Sequence, residues 1–231
     1  VATVVLLRHA RSTANGSGVL AGRSPGVELD ETGRGQAQRL VSRLEPVPLA
    51  EVVCSPLLRC EQTVAPLVAA RGLVPVTEPG LSEVDYGDWT GRELKTLFSE
   101  PLWSVVQQHP SAAVFPAGEG LAQMQTRAVA AVRAHDARIT AEHGPRAVWL
   151  LCSHGDVLKS IIADALGQHL DAFQRIVVNP ASVSVVQYTD TRPFVLRMND
   201  TGGELASIVP PEQQEAPAGQ AVPGGETGRS A

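Results

Sequence analysis

Val4-Val5-Leu6-Leu7-Arg8-His9-Ala10-Arg11-Ser12-Thr13 is the stretch on which the reading of this chain turns. Four consecutive apolar residues, two of them β-branched, read as a buried strand. That strand delivers two arginines, an imidazole and two hydroxyls into the turn behind it. Such a turn can gather a dianion, for example a phosphate monoester, against a nucleophilic ring nitrogen. Taken alone it leaves a second reading open, in which His9 is a structural hydrogen-bonding group at a strand end.

The same grammar recurs far downstream. Val148-Trp149-Leu150-Leu151-Cys152 is another apolar run, and it opens onto Ser153-His154-Gly155-Asp156 before a helix-like stretch from Val157. In a parallel sheet with crossover helices, functional groups collect outside the carboxyl ends of the strands, so His9 and His154 can face one pocket. Gly155 would let a backbone N–H approach a ligand at a helix N-terminus, where the dipole favours an anion.

Two further segments supply partners. Val52-Val53-Cys54 precedes Ser55-Pro56-Leu57-Leu58-Arg59-Cys60-Glu61-Gln62-Thr63. With Ser55 as cap and Pro56 in the first turn, a helix over 56–71 would carry Arg59 near the same sheet edge. Leu81 to Gly91 is an acidic, aromatic loop in which Glu83 offers a carboxyl group to protonate a leaving alcohol, with helix capping as the plainer alternative.

The periodicity predicts strands near 3–8, 51–54, 74–78, 147–152, 183–188 and 193–198. Helices fit 31–44, 56–71, 92–108, 119–143 and 156–167, with a short one near 170–175. This alternation implies an α/β fold: a three-layer α/β/α sandwich around a mostly parallel sheet, with an antiparallel edge strand formed by the last hairpin. A chain of 231 residues, 43% hydrophobic, suffices for one such domain. We place it at residues 1–209. From Pro210 the chain is rich in Pro, Gly, Glu and Gln, so 210–231 reads as a disordered tail. The alternative for that tail is a lid over the site, launched by the Pro210-Pro211 pair.

A formal charge of −5 and no Lys/Arg cluster argue against nucleic-acid or membrane-surface partners. Cys54, Cys60 and Cys152 sit in or beside apolar segments at spacings unlike a disulfide framework or a zinc site. They read as reduced and buried, and with no signal-like or membrane-spanning run the expected location is cytoplasmic. Self-association is left open.

Taken in order, these segments resemble the histidine phosphatase superfamily, which includes the cofactor-dependent phosphoglycerate mutases. Leu7-Arg8-His9-Ala10 is similar to its R-H-G signature with Ala10 for the usual glycine, and Ser12, Thr13 and Asn15 follow its pattern. Ala21-Gly22, Leu29 to Gly33 with Gln36-Ala37, Ser55 to Thr63, Glu83 to Gly91, Pro116 to Gly120 and Ser153-His154-Gly155 continue the match. The likeness runs from about residue 3 to about residue 200. It implies that His9 is a nucleophile that becomes phosphohistidine, that Arg8, Arg59 and His154 bind the phosphoryl oxygens, and that Glu83 is the proton donor. Asn15 and the Gly155 backbone would add donors to the phosphate. Neither a metal nor another cofactor is called for, and the implied partner is a small phosphorylated substrate.

Departures within the match separate hydrolysis from mutation. Mutases of the family carry an Arg-His pair just after the catalytic Glu; here those places hold Val84 and Asp85, and Ala21 stands where a threonine is usual. An apolar group and an acid cannot clamp an anionic sugar acid, which favours a phosphatase that releases phosphate to water. A phosphomutase and a non-catalytic phosphate-binding module are the alternatives, the latter disfavoured because His9 and Glu83 are both retained. A cysteine phosphatase built on Cys54 and Arg59 fails because only four residues intervene and Pro56 removes an N–H. His109, His135, His143 and His169 lie outside any evident two-metal cluster. Trp89, Leu102, Trp103 and Phe115 either wall the pocket or pack in the core.

Overall fold

The computed structural model describes residues 2–203 and 223–225. Among them six strands form one sheet: β1 (Thr3–Arg8), β2 (Leu49–Cys54), β3 (Val76–Thr77), β4 (Val148–Ser153), β5 (Val183–Gln187) and β6 (Phe194–Asp200). Their spatial order is β3-β2-β4-β1-β5-β6. β1 to β4 run parallel, β5 pairs antiparallel with β1, and β6 pairs antiparallel with β5. The antiparallel edge is therefore the hairpin anticipated from the sequence.

β1 is apolar from Val4 to Leu7 and β4 from Val148 to Cys152 because both of their faces are buried. Val4, Leu6, Trp149 and Leu151 point into one hydrophobic layer, and Val5, Leu7, Leu150 and Cys152 into the other. Helices α2 (Glu31–Arg43) and α3 (Leu58–Arg71) cover the second layer through Leu40, Val64 and Leu67. Helices α6 (Leu121–His143) and α7 (Gly155–Ala165) cover the first through Met124, Val132 and Ile161. Leu151, fully buried on a central strand, is a direct test of this arrangement. Leu151→Ala should cost about 2–5 kcal/mol of unfolding free energy, read as a lower midpoint in urea with an unchanged slope.

The structure differs from the sequence expectation in three local respects. The single helix expected over 92–108 is broken into α4 (Leu94–Leu97) and α5 (Pro101–Gln108), because Pro101 lacks the N–H needed inside a helix and starts the second one instead. A short α1 (Thr13–Ser17) follows the first turn, capped reciprocally by Ser12 and Asn15. Helix α3 begins at Leu58 rather than Pro56, with Leu57 at the N-cap and no side-chain cap, so Ser55 does not cap it. No helix among the described residues is long and apolar enough to cross a membrane. Most of the segment 210–231 lies outside the described residues; Pro223 and Gly225, which lie within them, are buried.

Candidate active site

In the parallel register Arg8 of β1 sits opposite Ser153 of β4, so the two strand ends carry His9 and His154 side by side. Their ring centroids are 5.2 Å apart. Backbone pairing closes the juxtaposition, with His9 N donating to the Ser153 carbonyl at 2.9 Å. The loops behind the strand ends are held by motif side chains: Thr63 Oγ1 accepts from Ala10 N at 2.9 Å, Gln36 Oε1 from Arg11 N at 2.9 Å, and Gln62 Oε1 from Leu29 N at 2.8 Å. Ala10 is not among the residues of positive φ, so its methyl group is accommodated where the family usually has glycine.

The His9 ring has a fixed orientation. Its Nδ1 lies 2.8 Å from the Ala10 carbonyl, which can only accept, so Nδ1 carries the proton and Nε2 keeps its lone pair. Arg59 Nε donates to that Nε2 at 3.4 Å, and Arg59 Nη2 donates to the Gly22 carbonyl at 2.8 Å. Burial, then the Arg59 and Arg8 guanidinium groups, hold the His9 pKa well below the ordinary imidazole value. The ring is therefore neutral at physiological pH, with its lone pair on Nε2.

His154 is neutral for the same reasons, burial first and then Arg59, His9 and Arg8. Its Nε2 lies 2.8 Å from Ser55 Oγ and 3.5 Å from Cys60 Sγ. Ser55 thus orients the second histidine. All three cysteines are free and buried.

Glu83 is 2% exposed, and its Oε1 accepts from Val84 N at 2.9 Å. Burial, then the neighbouring Asp156 carboxylate, push its pKa up to about 7 against the opposing pull of Arg59 and Arg8. A carboxyl group half protonated at neutral pH can act as acid in one step and base in the next. Its backbone is clamped from outside: Arg23 Nε and Arg127 Nη2 donate to the Glu83 carbonyl at 2.8 and 3.1 Å, and Glu119 Oε1 accepts from both arginines. Glu119, the acid of the Pro116 to Gly120 segment, therefore positions the arginines that position Glu83.

The site residues expected from the sequence do come together, with different exposures to the cavity. His9, Asn15, Arg59 and Glu83 line it, along with Ser12, Val19, Leu20, Ala21, Gly22, Tyr86 and Leu94. Asn15 Oδ1 accepts from Ser12 N and Oγ, so what Asn15 can offer a bound group is its amide N–H donors. Arg8 is fully buried; its Nη1 donates to the Val178 carbonyl at 2.7 Å and its Nη2 to the Gly224 carbonyl at 3.1 Å. Gly155 lies directly beneath Gly224 and Gly225.

Sequence reasoning gave no role to the pair Tyr86 and Asp156. Tyr86 Oη donates to Asp156 Oδ2 at 2.7 Å, and both side chains are buried beside Glu83. An acid in the first turn of α7 reads as an ordinary partner of the helix dipole, which hid its second contact. Val84 is buried, and Asp85 lies 3.9 Å from Arg23, a cation that also pairs with Glu119. Trp89, Trp103 and Phe115 pack in the core, with Trp89 and Phe115 centroids 5.3 Å apart. His143 does meet two carboxylates, Glu51 and Glu142, at the surface, but Arg138 pairs with both of these acids.

Comparison with known proteins agrees with this geometry. The family model of the histidine phosphatase superfamily, branch 1, matches residues 4–201. Phosphoserine phosphatase 1 of Hydrogenobacter thermophilus is 28% identical over 204 residues, covering 86% of this chain and 92% of the relative. A Proteus mirabilis protein named "Probable phosphoglycerate mutase GpmB" is 29% identical over 210 residues, covering 89% and 94%. Among solved structures, the alpha-ribazole phosphatase from Shigella flexneri superposes with a TM-score of 0.74 at 25% identity, covering 86% of this chain and 96% of that one. The chain belongs to branch 1 of the histidine phosphatase superfamily.

Proposed function

We propose that the protein is a phosphomonoester hydrolase that works through a phosphohistidine on His9 and acts on a small phosphorylated metabolite. The observation that carries this reading is the His9 Nε2 lone pair, 3.4 Å from the Arg59 guanidinium in a buried pocket that also contains a half-protonated Glu83. In the first half-reaction Nε2 attacks phosphorus and forms the P–N bond while the ester P–O bond breaks. Glu83 gives its proton to the departing alkoxide. In the second half-reaction the Glu83 carboxylate takes a proton from water, whose oxygen attacks the phosphohistidine and releases inorganic phosphate and free His9. Arg8, Arg59, His154, the Asn15 amide and the Gly155 backbone hold the phosphoryl oxygens, and the cations stabilise the charge on the transferring group.

Hydrolysis is favoured over phosphomutation because the position that holds a cationic pair in the mutases presents Val84 and Asp85. Val19, Leu20 and Leu94 line the cavity with apolar surface, which suits an uncharged alcohol better than a second anionic group. The defining experiment is a screen of phosphorylated metabolites for release of inorganic phosphate, with His9→Ala as blank and 3-phosphoglycerate included to detect isomerisation. Turnover in EDTA should equal turnover in magnesium, because the arginines supply the positive charge that a metal ion would bring. Loss of most activity in EDTA, restored by magnesium or zinc, would overturn the metal-independent mechanism.

A further inference from the structure

The cavity beside His9 is closed on one side by the chain's own Pro223, Gly224 and Gly225. About 30 Å³ is left. That is room for a water or two, against roughly 300 Å³ at the lower end for small-molecule pockets.

The contact is built rather than incidental. The Gly224 backbone is held on both sides of its Cα: its N–H donates to Asp156 Oδ2 at 2.9 Å, and its carbonyl accepts from Arg8 Nη2 at 3.1 Å. Asp156 and Arg8 are both fully buried, and Asp156 Oδ1 has no hydrogen-bond partner among the described residues. Gly224 and Gly225 have φ of 80° and 82°, the left-handed region that side chains disfavour. A methyl group on Gly155 would overlap the Gly224 carbonyl, and one on Gly225 would press on the Arg8 guanidinium. Glycine is thus required on both sides of the contact.

We propose that Arg8, Gly155 and Asp156 form a peptide-binding subsite beside the phosphoryl pocket, that its ligand is the chain's own Pro223-Gly224-Gly225 segment, and that this segment competes with substrate. The competition rests on the hydrolase reading above, in which Arg8 binds the phosphoryl group. An Nη2 proton given to the Gly224 carbonyl is not available to a phosphoryl oxygen. A dianion outbids a neutral carbonyl for a guanidinium, since charge-assisted hydrogen bonds are roughly twice as strong as neutral ones. Release of the segment in turn leaves the buried Asp156 carboxylate without the Gly224 N–H. Tethering offsets the weakness of a single peptide contact by holding the segment at an effective concentration in the mM range. Substrate entry and segment release are then one coupled step.

The test uses the full chain carrying Gly224→Val and Gly225→Val, neither of which bears on the chemistry. KM should fall about three- to tenfold with kcat within about twofold, the signature of a removed competitor. A synthetic peptide spanning residues 219–229 should raise KM again without lowering kcat. An unchanged KM with no effect of the peptide would overturn the proposal, as would a more than tenfold loss of kcat, which would mean that the segment completes the site. Hydrogen exchange at the Gly224 amide of the unaltered protein provides a readout free of turnover. Protection lost on adding inorganic phosphate supports the proposal; an amide unprotected before phosphate is added sinks it. Should neither protein hydrolyse any phosphomonoester while the amide is protected and released by phosphate, the hydrolase reading fails and the subsite stands.

Discussion

His9→Ala is expected to lower phosphate release by at least about 10³-fold, the scale on which loss of a covalent nucleophile is felt. With wild-type protein and a labelled substrate, alkaline quench during turnover should retain label on His9, and acid quench should destroy it, because a phosphoramidate is acid-labile. The attacking atom should be Nε2, since Nδ1 carries the proton held by the Ala10 carbonyl. Label mapped to a serine or cysteine would reject the assignment. Cys60 and Ser55 are informative controls, as both side chains lie within 3.5 Å of His154 Nε2.

Glu83→Gln should divide substrates by leaving group. An alkyl phosphate needs the proton, so its first step should slow by about 10²–10⁴-fold, whereas a nitrophenyl ester, which departs unaided, should lose far less. The pH dependence follows from the raised pKa of Glu83. Because Glu83 titrates at about 7, its acid form predominates below pH 7 and its carboxylate above. Hydrolysis of alkyl esters limited by the first step should therefore decline about tenfold per unit well above pH 7. Breakdown of the phosphohistidine, which uses the carboxylate, should instead slow as pH falls below 7. His9 does not blur this window, since its own titration lies well below 6.5. Equal losses for alkyl and aryl esters in the first step would show that Glu83 is not the acid.

Those two side chains were legible in the sequence because each sits immediately after a recognisable local signal: His9 at the end of an apolar run, Glu83 in a short acidic loop. The same holds for Arg8, Arg59 and His154, all placed by strand ends or a first helical turn. The fold was legible for a related reason, since the unbroken apolar runs at Val4 and Trp149 are what strands buried on both faces require. What escaped were the partners. Tyr86 with Asp156, and Arg23 and Arg127 with the Glu83 carbonyl, join residues with no common periodicity, and only the closed fold sets them at hydrogen-bond distance. The docking of Gly224 escaped because a Pro- and Gly-rich composition shows how little apolar area a segment buries. It says nothing about a single residue whose backbone N–H and carbonyl find one carboxylate and one guanidinium.

The strand order carries a consequence for how activity is acquired during folding. β4 lies between β2 and β1, so β1 and β2 are joined in one sheet only when a strand made nearly a hundred residues after β2 is threaded between them. His9 meets its facing imidazole only at that insertion. Contacts of such long sequence separation are reached late and slowly, because the chain entropy of closing the intervening loop is lost before any pairing rewards it. A ribosome-bound chain that has not yet extruded β4 holds His9 without its facing histidine and without Asp156, the α7 acid beside Glu83. The two imidazoles are thus brought face to face only with the last parallel strand, and folding order itself keeps the half-made protein from presenting them together.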